Sequence, residues 1–167
     1  MTISLEPNPS YKSPAKSKWS DEYWEGATQG KLVVQRCEDC QSITHPPGQV
    51  CTTCLSSARG HVALSGLGTI YSYTVTTRPM HEAFAADVPY IIVYVELDEG
   101  IRIVSWLRDC EATPQIIGLR VKAVFEKIDD DTYLHRFVPA EASPLAPLLT
   151  SGIVYLILDT ASRIGLT

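Results

Sequence analysis

The sequence predicts a mainly β fold in which a short N-terminal helix precedes a four-cysteine metal-binding ribbon and a five-stranded barrel. Three observations support this class: a cluster of aromatic residues, two Cys-x-x-Cys pairs behind it, and five β-rich runs behind those. The chain has 167 residues, of which 45% are hydrophobic and 20% are charged. This composition is ordinary for a globular protein and excludes a disordered acidic chain.

The lengths of the apolar runs and the net charge limit where in the cell we expect the protein and what we expect it to bind. The apolar runs at residues 90–95 and 153–158 are far shorter than the roughly 18 to 20 residues that a membrane-spanning helix needs. Glu6 and Pro7 stand where a secretory signal would be apolar, which predicts a cytoplasmic protein. The 14 Lys and Arg against 19 Asp and Glu give a formal charge of −5, which weakens attraction to nucleic acid.

The segment before the cysteines divides into an arm and a helix. Residues 1–18 contain prolines and lack apolar periodicity, so we expect a flexible arm. Residues 19–30 are expected to form a helix, because Ser20 suits its N-cap, acids follow in its first turn, and glycine ends it. Three large aromatic residues in this helix either pack on the neighbouring domain or dock on a partner. They are Trp19, Tyr23 and Trp24.

Residues 31–61 carry four of the five cysteines. The pairs are Cys37 with Cys40 and Cys51 with Cys54. Two such turns facing each other complete a tetrahedral thiolate site, for which zinc is the first choice and iron an alternative. A pair of disulfides is disfavoured in a reducing compartment. A closed site of four thiolates leaves no position for substrate, so we expect a structural metal, with His45 and His61 as ordinary polar residues.

Residues 62–140 are predicted to form five strands. The runs span residues 69–77, 90–97, 101–107, 119–128 and 132–138. In the first run, Tyr71, Tyr73 and Val75 alternate with polar residues, so we expect them to share one half-buried face. Residues 98–100 form a hairpin loop that ends in glycine, and residues 109–118 are long enough for one or two helical turns. Five strands with an insert between the third and fourth match the order of an OB barrel.

Several motifs along this chain match the pattern of one known family. They are the aromatic helix, Gly30-Lys31-Leu32, both cysteine pairs, Pro46-Pro47, Gly66-x-Gly68-Thr69-Ile70-Tyr71-Ser72, Pro89-Tyr90, Val95-Glu96-Leu97-Asp98-Glu99-Gly100 and Arg136-Phe137-Val138-Pro139. Residues 23–140 resemble the bacterial and archaeal proteins that join a rubredoxin-like zinc ribbon to an OB fold, long catalogued only as a domain of unknown function. The resemblance implies an acyl-CoA-associated accessory protein in lipid metabolism.

The same resemblance implies the kind of partner. In this family the partner is a thiolase-superfamily enzyme: a thiolase or acyltransferase in some members, and in others a thiolase-like aldolase or a hydratase acting on steroid side-chain thioesters. The partner usually holds the catalytic residues. We therefore expect a scaffold subunit with no turnover of its own.

Two features depart from the family pattern. Gln41 and Leu55 follow the second cysteine of each pair, where the family often has glycine, and we expect a lower metal affinity for that reason. The tail, residues 141–167, extends beyond the usual end of the barrel and contains an apolar run. An extra strand, a helix or a partner-binding segment would each account for it.

Candidate ligand-binding residues lie in and beside the barrel. Arg78 and His81 belong to the long loop between the first two predicted strands, and Trp106 lies in the third strand. Arg78 could pair with a CoA phosphate and His81 could line its path, and the favoured alternative for both is a solvated loop without a ligand. We expect Cys110 to be an inert thiol and His135 to be a hydrogen-bonded wall residue. No catalytic residue is predicted.

Two other function classes remain open. A single-stranded nucleic-acid binder could stack bases on Tyr71, Tyr73 and Trp106. Residues 62–140, however, hold 7 Lys and Arg against 11 Asp and Glu, so the predicted barrel has a charge of −4, which repels a phosphate backbone. A small hydrolase is the remaining class, and it lacks a motif.

Overall fold

The computed structural model describes residues 13–140, so the predicted tail and most of the predicted arm lie outside the described residues. The helix α1 spans Asp21–Thr28. The strands are β1 Leu32–Cys37, β2 Ile43–Thr44, β3 Arg59–Leu64, β4 Leu67–Thr76, β5 Tyr90–Leu97, β6 Arg102–Leu107, β7 Arg120–Lys127 and β8 Tyr133–Pro139. Among residues 13–140, no helix reaches the length and apolar character that a bilayer crossing needs.

The helix α1 begins and ends near the predicted residues, but its N-cap differs from the prediction. Ser20 occupies the cap position without a side-chain capping bond. Its Oγ instead accepts hydrogen bonds from the Ser17 N–H and the Trp24 Nε1–H, both at 3.0 Å. Gly26 faces β1 so closely that a Cβ would lie 2.4 Å from Val33 Cγ2. The absence of a side chain at Gly26 therefore lets the helix lie directly against the ribbon.

The ribbon is a three-stranded antiparallel sheet in the order β2-β1-β3. β1 pairs with β3 along its whole length, from Leu32 opposite Leu64 to Cys37 opposite Arg59. Leu32 and Val34 on β1 are buried, as the alternation of a half-buried strand requires. The sheet ends at Leu64, three residues beyond the predicted end of the ribbon at residue 61.

The five remaining strands close into a barrel in the order β4-β5-β6-β8-β7, with β7 pairing back onto β4. β6 and β8 pair in parallel, with Leu107 opposite Phe137. A 3-10 turn at Pro114–Ile116 occupies the connection between β6 and β7, where a short helical insert was predicted. The mainly β fold with a closed five-stranded, OB-like barrel is therefore confirmed.

The first barrel strand contains a bulge that the sequence pattern did not reveal. Ile70 pairs with Val95 and Ser72 with Tyr94, so Tyr71 is an extra residue on β4. Ile70 is 1% exposed whereas Tyr71 is 52% exposed. The prediction that Tyr71 shares a face with Tyr73 and Val75 is wrong, because the bulge turns it outward.

One hydrophobic core runs through the helix, the ribbon and the barrel. It includes Tyr23 and Ala27 from α1, Leu32 from β1, and Val93 and Phe137 from the barrel. Val93 and Phe137 are fully buried. Because the three parts share apolar contacts, the ribbon and helix are held against the barrel in one arrangement.

Gly68 provides a test of the barrel packing. A Cβ at this position would lie 2.5 Å from the Glu96 carbonyl oxygen, so Gly68→Ala must push β4 away from β5. We expect the substitution to lower the free energy of unfolding by about 1 to 3 kcal/mol, measured by urea denaturation. Gly48→Ala is the control, because its Cβ would meet nothing nearer than 3.8 Å. Equal effects of the two substitutions would contradict the packing described here.

Candidate functional site

The four predicted metal ligands come together at one end of the ribbon. Their sulfur atoms all lie within 4.8 Å of one another, with Cys37 Sγ 3.6 Å from Cys54 Sγ and Cys40 Sγ 3.5 Å from Cys51 Sγ. Four thiolates bound to zinc at about 2.3 Å would place their sulfurs roughly 3.8 Å apart. All four residues are free cysteines. The donor set and its spacing therefore fit a structural zinc ion.

Both cysteine pairs are presented by the same local backbone. We call residues 37–42 the first knuckle and residues 51–56 the second knuckle. In each knuckle the N–H of the first cysteine donates to the carbonyl five residues later, at 2.9 and 2.8 Å respectively. The residue four positions after that cysteine donates back to its carbonyl at 3.0 Å, and this residue, Gln41 or Leu55, has a φ of 62°. The turns that present the thiolates are thus alike.

Ser42 lies between the two cysteine pairs. Its Oγ is 3.1 Å from both Cys40 Sγ and Cys51 Sγ. The hydrogen bond from Ser42 is the largest cause that lowers the pKa of Cys51, to about 5, and the Thr53 N–H adds to the effect. Cys51 therefore favours the thiolate form, which is the form that binds metal.

The two nearby histidines, predicted to be ordinary polar residues, lie in different environments. His61 Nδ1 is 3.9 Å from Glu22 Oε1 at the surface. His45 instead packs with its ring centroid 5.4 Å from that of Tyr23 and 5.6 Å from that of His135. Neither belongs to the group of potential metal ligands, which consists of the four cysteines.

Tyr23, His45 and His135 form a junction cluster between the helix, the ribbon and the barrel. Tyr23 Oη and His135 Nδ1 are 2.6 Å apart, which confirms the prediction that His135 is hydrogen-bonded. Burial lowers the pKa of His45 to about 4, and burial, with smaller contributions from His45 and Arg136, lowers the pKa of His135 to about 3. Burial also raises the pKa of Tyr23 to about 12. All three side chains are therefore neutral near pH 7.

The predicted partner-binding aromatics divide into one core residue and two residues nearer the surface. Tyr23 is only 6% exposed, so it belongs to the core and does not contribute to an exposed docking face. Trp19 is half-buried, with the Arg59 guanidinium 4.1 Å from its ring centroid. Trp24 is also half-buried. Partner contact by Trp19 and Trp24 remains a prediction.

Trp106 lies in a polar and aromatic cluster on the barrel. Its ring stacks on Tyr90 with centroids 4.2 Å apart, and the guanidinium groups of Arg108 and Arg136 lie 4.8 and 4.7 Å from its centroid. Glu126 binds both arginines, Arg108 at 3.0 Å and Arg136 at 2.5 Å. Sequence reasoning missed this ion triad, although arginine and glutamate in predicted strands are a signal for pairing on a barrel wall.

The other ligand-binding candidates lie in the loop between β4 and β5. Arg78 and His81 are both exposed, and His81 Nδ1 accepts a hydrogen bond from the Ala83 N–H at 3.1 Å. Phe84 packs edge-on against Trp106 with centroids 5.7 Å apart. Phe84 thus anchors the loop at Trp106, while Arg78 and His81 face solvent.

Cys110 was predicted to be inert. It is half-buried, and its Sγ lies 3.5 Å from the Glu111 carbonyl oxygen. Burial raises the pKa of its thiol, so the reactive thiolate is scarce at neutral pH.

Metal removal tests the cysteine site. We expect one zinc ion per chain, and we expect its removal by a chelator, or the substitution Cys51→Ser, to unfold the ribbon more than the barrel. Elemental analysis gives the metal content, and amide hydrogen exchange reports β1 and β7 separately. The assignment would be wrong if purified protein held neither zinc nor iron and its cysteines reacted with a thiol reagent without loss of structure.

The junction cluster predicts a loss of stability in acid. Because the folded-state pKa values of His45 and His135 lie below the value of about 6.5 in an unfolded chain, their stabilising contribution is present above pH 6.5 and is lost as the pH falls toward 4. Each histidine adds up to about 1.4 kcal/mol per pH unit to this slope. His135→Gln should reduce the slope of the free energy of unfolding against pH by the equivalent of about one proton. Urea denaturation between pH 7 and 5 measures this slope.

A surface variant controls for other titrating groups. His61→Gln makes the same substitution at a surface histidine outside the junction cluster and is the matched variant for comparison. A slope in His135→Gln equal to that of the wild type would show that His135 is not held neutral in the fold.

The two modules correspond to two described protein families. Residues 24–58 match the rubredoxin-like zinc ribbon domain of ChsH2, and residues 61–126 match its C-terminal OB-fold domain. A DUF35 domain-containing scaffold protein of Methanocaldococcus jannaschii is 34% identical over 120 residues, which cover 66% of this chain and 82% of the relative.

Enzyme subunits are also among the relatives. A probable enoyl-CoA hydratase alpha subunit of Thermomonospora curvata is 37% identical over 127 residues. The match covers 76% of this chain, which spans only 39% of that relative. In a solved structure of an Ltp2-ChsH2(DUF35) aldolase, one chain is 37% identical with a TM-score of 0.64, and the match covers 75% of this chain and 98% of that one. The chain is therefore a member of the DUF35 family, in which a ChsH2-type zinc ribbon precedes an OB fold.

Proposed function

We propose that this protein is a non-catalytic scaffold subunit that docks on a cytoplasmic thiolase-superfamily enzyme and helps to hold its acyl-CoA substrate. One observation carries the proposal. The match to a chain of the Ltp2-ChsH2(DUF35) aldolase covers 98% of that chain at 37% identity. A chain similar to this ribbon and barrel is therefore present in a solved structure named as an aldolase.

The protein could act as a scaffold because the surface of its helix and ribbon is held in a fixed position relative to the loops of its barrel. The helix and ribbon share one core with the barrel, and the bond between Tyr23 and His135 ties α1 to β8. A partner that contacts the helix and ribbon would thereby set the position of the barrel loops. Pre-organisation of this kind reduces the entropy lost on assembly.

The acyl-CoA contact is assigned to the loop between β4 and β5. Arg78 is exposed there and can form charge-assisted hydrogen bonds to a phosphate, with His81 beside it. The contact between Phe84 and Trp106 holds the base of the loop on the barrel. Trp106 supports the loop in this proposal, because Tyr90 and two arginines already lie against its ring.

The hydrolase alternative is less favoured because the groups it would use serve the fold. His135 is buried, and its Nδ1 lies 2.6 Å from the Tyr23 hydroxyl, while burial raises the pKa of the Cys110 thiol. Within residues 13–140, Cys110 makes its hydrogen bond with the Glu111 carbonyl and not with a histidine. A cysteine without a base has no means of activation.

The nucleic-acid alternative is less favoured because its stacking residues have other contacts. Tyr71 packs against Tyr94, and the Arg102 guanidinium lies 3.6 Å from its ring centroid. Arg102 is itself paired with Glu96 at 2.7 Å, so it offers little free positive charge to a backbone. Residues 62–140 also carry 7 basic against 11 acidic residues.

Variants of the proposed contacts test this function. We expect Trp24→Ala to weaken assembly with the proposed thiolase-superfamily partner by about 2 kcal/mol, because interface aromatics often dominate binding. We expect Arg78→Ala to raise the KM of the assembled enzyme for its thioester without changing assembly. Binding is measured by calorimetry and turnover by release of CoA.

Two controls separate these effects from damage to the fold. The unfolding temperature of Trp24→Ala shows whether the ring only covers the protein's own core. Lys31→Ala removes an exposed cation outside the loop and should leave KM unchanged. Full activity of the enzyme without this subunit, or thioester turnover by this subunit alone, would contradict the scaffold function.

A further inference from the structure

Leu55 combines two unfavourable features at the end of the second knuckle. Its φ of 62° lies in the left-handed region, which is strained for residues with a branched side chain and ordinary for glycine. Its side chain is also 75% exposed, the largest value among the described large hydrophobic residues except Met80. Strain that persists in a folded protein is often retained for function.

The first knuckle provides an internal comparison at the equivalent position. Gln41 has the same φ of 62°, but its side chain is bonded within its own knuckle. Its Nε2 donates to the Glu38 carbonyl at 2.6 Å, and its Oε1 accepts from Arg36 Nη2. The backbone of a knuckle therefore does not require an exposed apolar side chain at this position.

The chain segment around Leu55 carries no charged residue. Val50 is 43% exposed, and Thr52 and Thr53 are exposed beside it. No Lys, Arg, Asp or Glu occurs in residues 41–58, whereas the first knuckle carries Glu38 and Asp39. We call Val50, Thr52, Thr53 and Leu55 the knuckle tip. Loss of charge around exposed apolar residues is typical of the centre of a protein interface.

We propose that the knuckle tip docks on the catalytic subunit, with Leu55 inserted into an uncharged apolar pocket of that enzyme. This inference rests on the proposed scaffold function and names the surface that performs it. An uncharged tip matches an uncharged pocket, because a charged pocket would lose its hydration against Leu55 without gaining a partner. The adjacent four-cysteine site holds the tip rigid, which limits the entropy lost on docking.

The substitution Leu55→Gly separates folding from docking, because we expect it to preserve or raise stability while it weakens binding. Glycine adopts a positive φ without strain, so the unfolding temperature should stay equal or rise. The Kd for the purified thiolase-superfamily partner of the proposed function should increase at least tenfold. Gln41→Gly is the matched control: it relieves the same φ in the first knuckle and should leave the Kd unchanged.

A second variant tests whether the backbone flexibility that glycine adds, and not the loss of the leucine side chain, weakens binding. Leu55→Asn also tolerates the left-handed conformation and keeps a side chain, and it should weaken binding as Leu55→Gly does. If the wild type itself forms no complex, the scaffold function fails. If the wild type binds and both Leu55 variants bind equally well, the scaffold function stands and the knuckle tip is not its docking surface. If the Leu55 variants lost binding only to the extent that they lost bound zinc, the inference would also be overturned.

Discussion

The four cysteine sulfurs hold a segment that has too little apolar material to fold by itself. Between residues 38 and 58, Cys51 is the only buried residue, and β2 contains two residues. A segment of this kind needs a cross-link, and a structural metal supplies it. The cysteine site also determines the position of β1, since Cys37 ends that strand and Leu32 begins it within the shared core. The helix α1 packs on β1, so its position depends on the same site.

The junction cluster shows how the helix and ribbon are fixed to the barrel without buried charge. Tyr23 and His135 come from elements at opposite ends of the described chain and are bonded at 2.6 Å. Their neutral forms are favoured because burial penalises the charged forms. The wall around Trp106 uses a different solution, in which Glu126 neutralises two arginines by direct pairing. Both arrangements use titratable groups to hold neighbouring elements together, which suits the proposed scaffold function.

Features determined by local sequence were predictable, and features determined by distant pairing were not. The spacing of the cysteines and the turn at Gly100, which has a φ of 83°, depend on neighbouring residues, and the structure agrees with both. The bulge at Tyr71 depends on how β4 meets β5, which no local alternation reveals. The contact between Tyr23 and His135 joins residues 112 positions apart, so the sequence singled out each side chain but did not reveal that they pair. The role proposed for Leu55 likewise rests on its φ and its exposure, which the sequence does not show.

The central claim is that this chain acts as a subunit of an enzyme assembly. Native mass spectrometry of the chain co-expressed with its proposed thiolase-superfamily partner tests this claim most directly. The account predicts a complex of fixed stoichiometry in which each copy of this chain carries one zinc ion. Two separate species, with this chain folded, zinc-loaded and unbound at micromolar concentration, would contradict it.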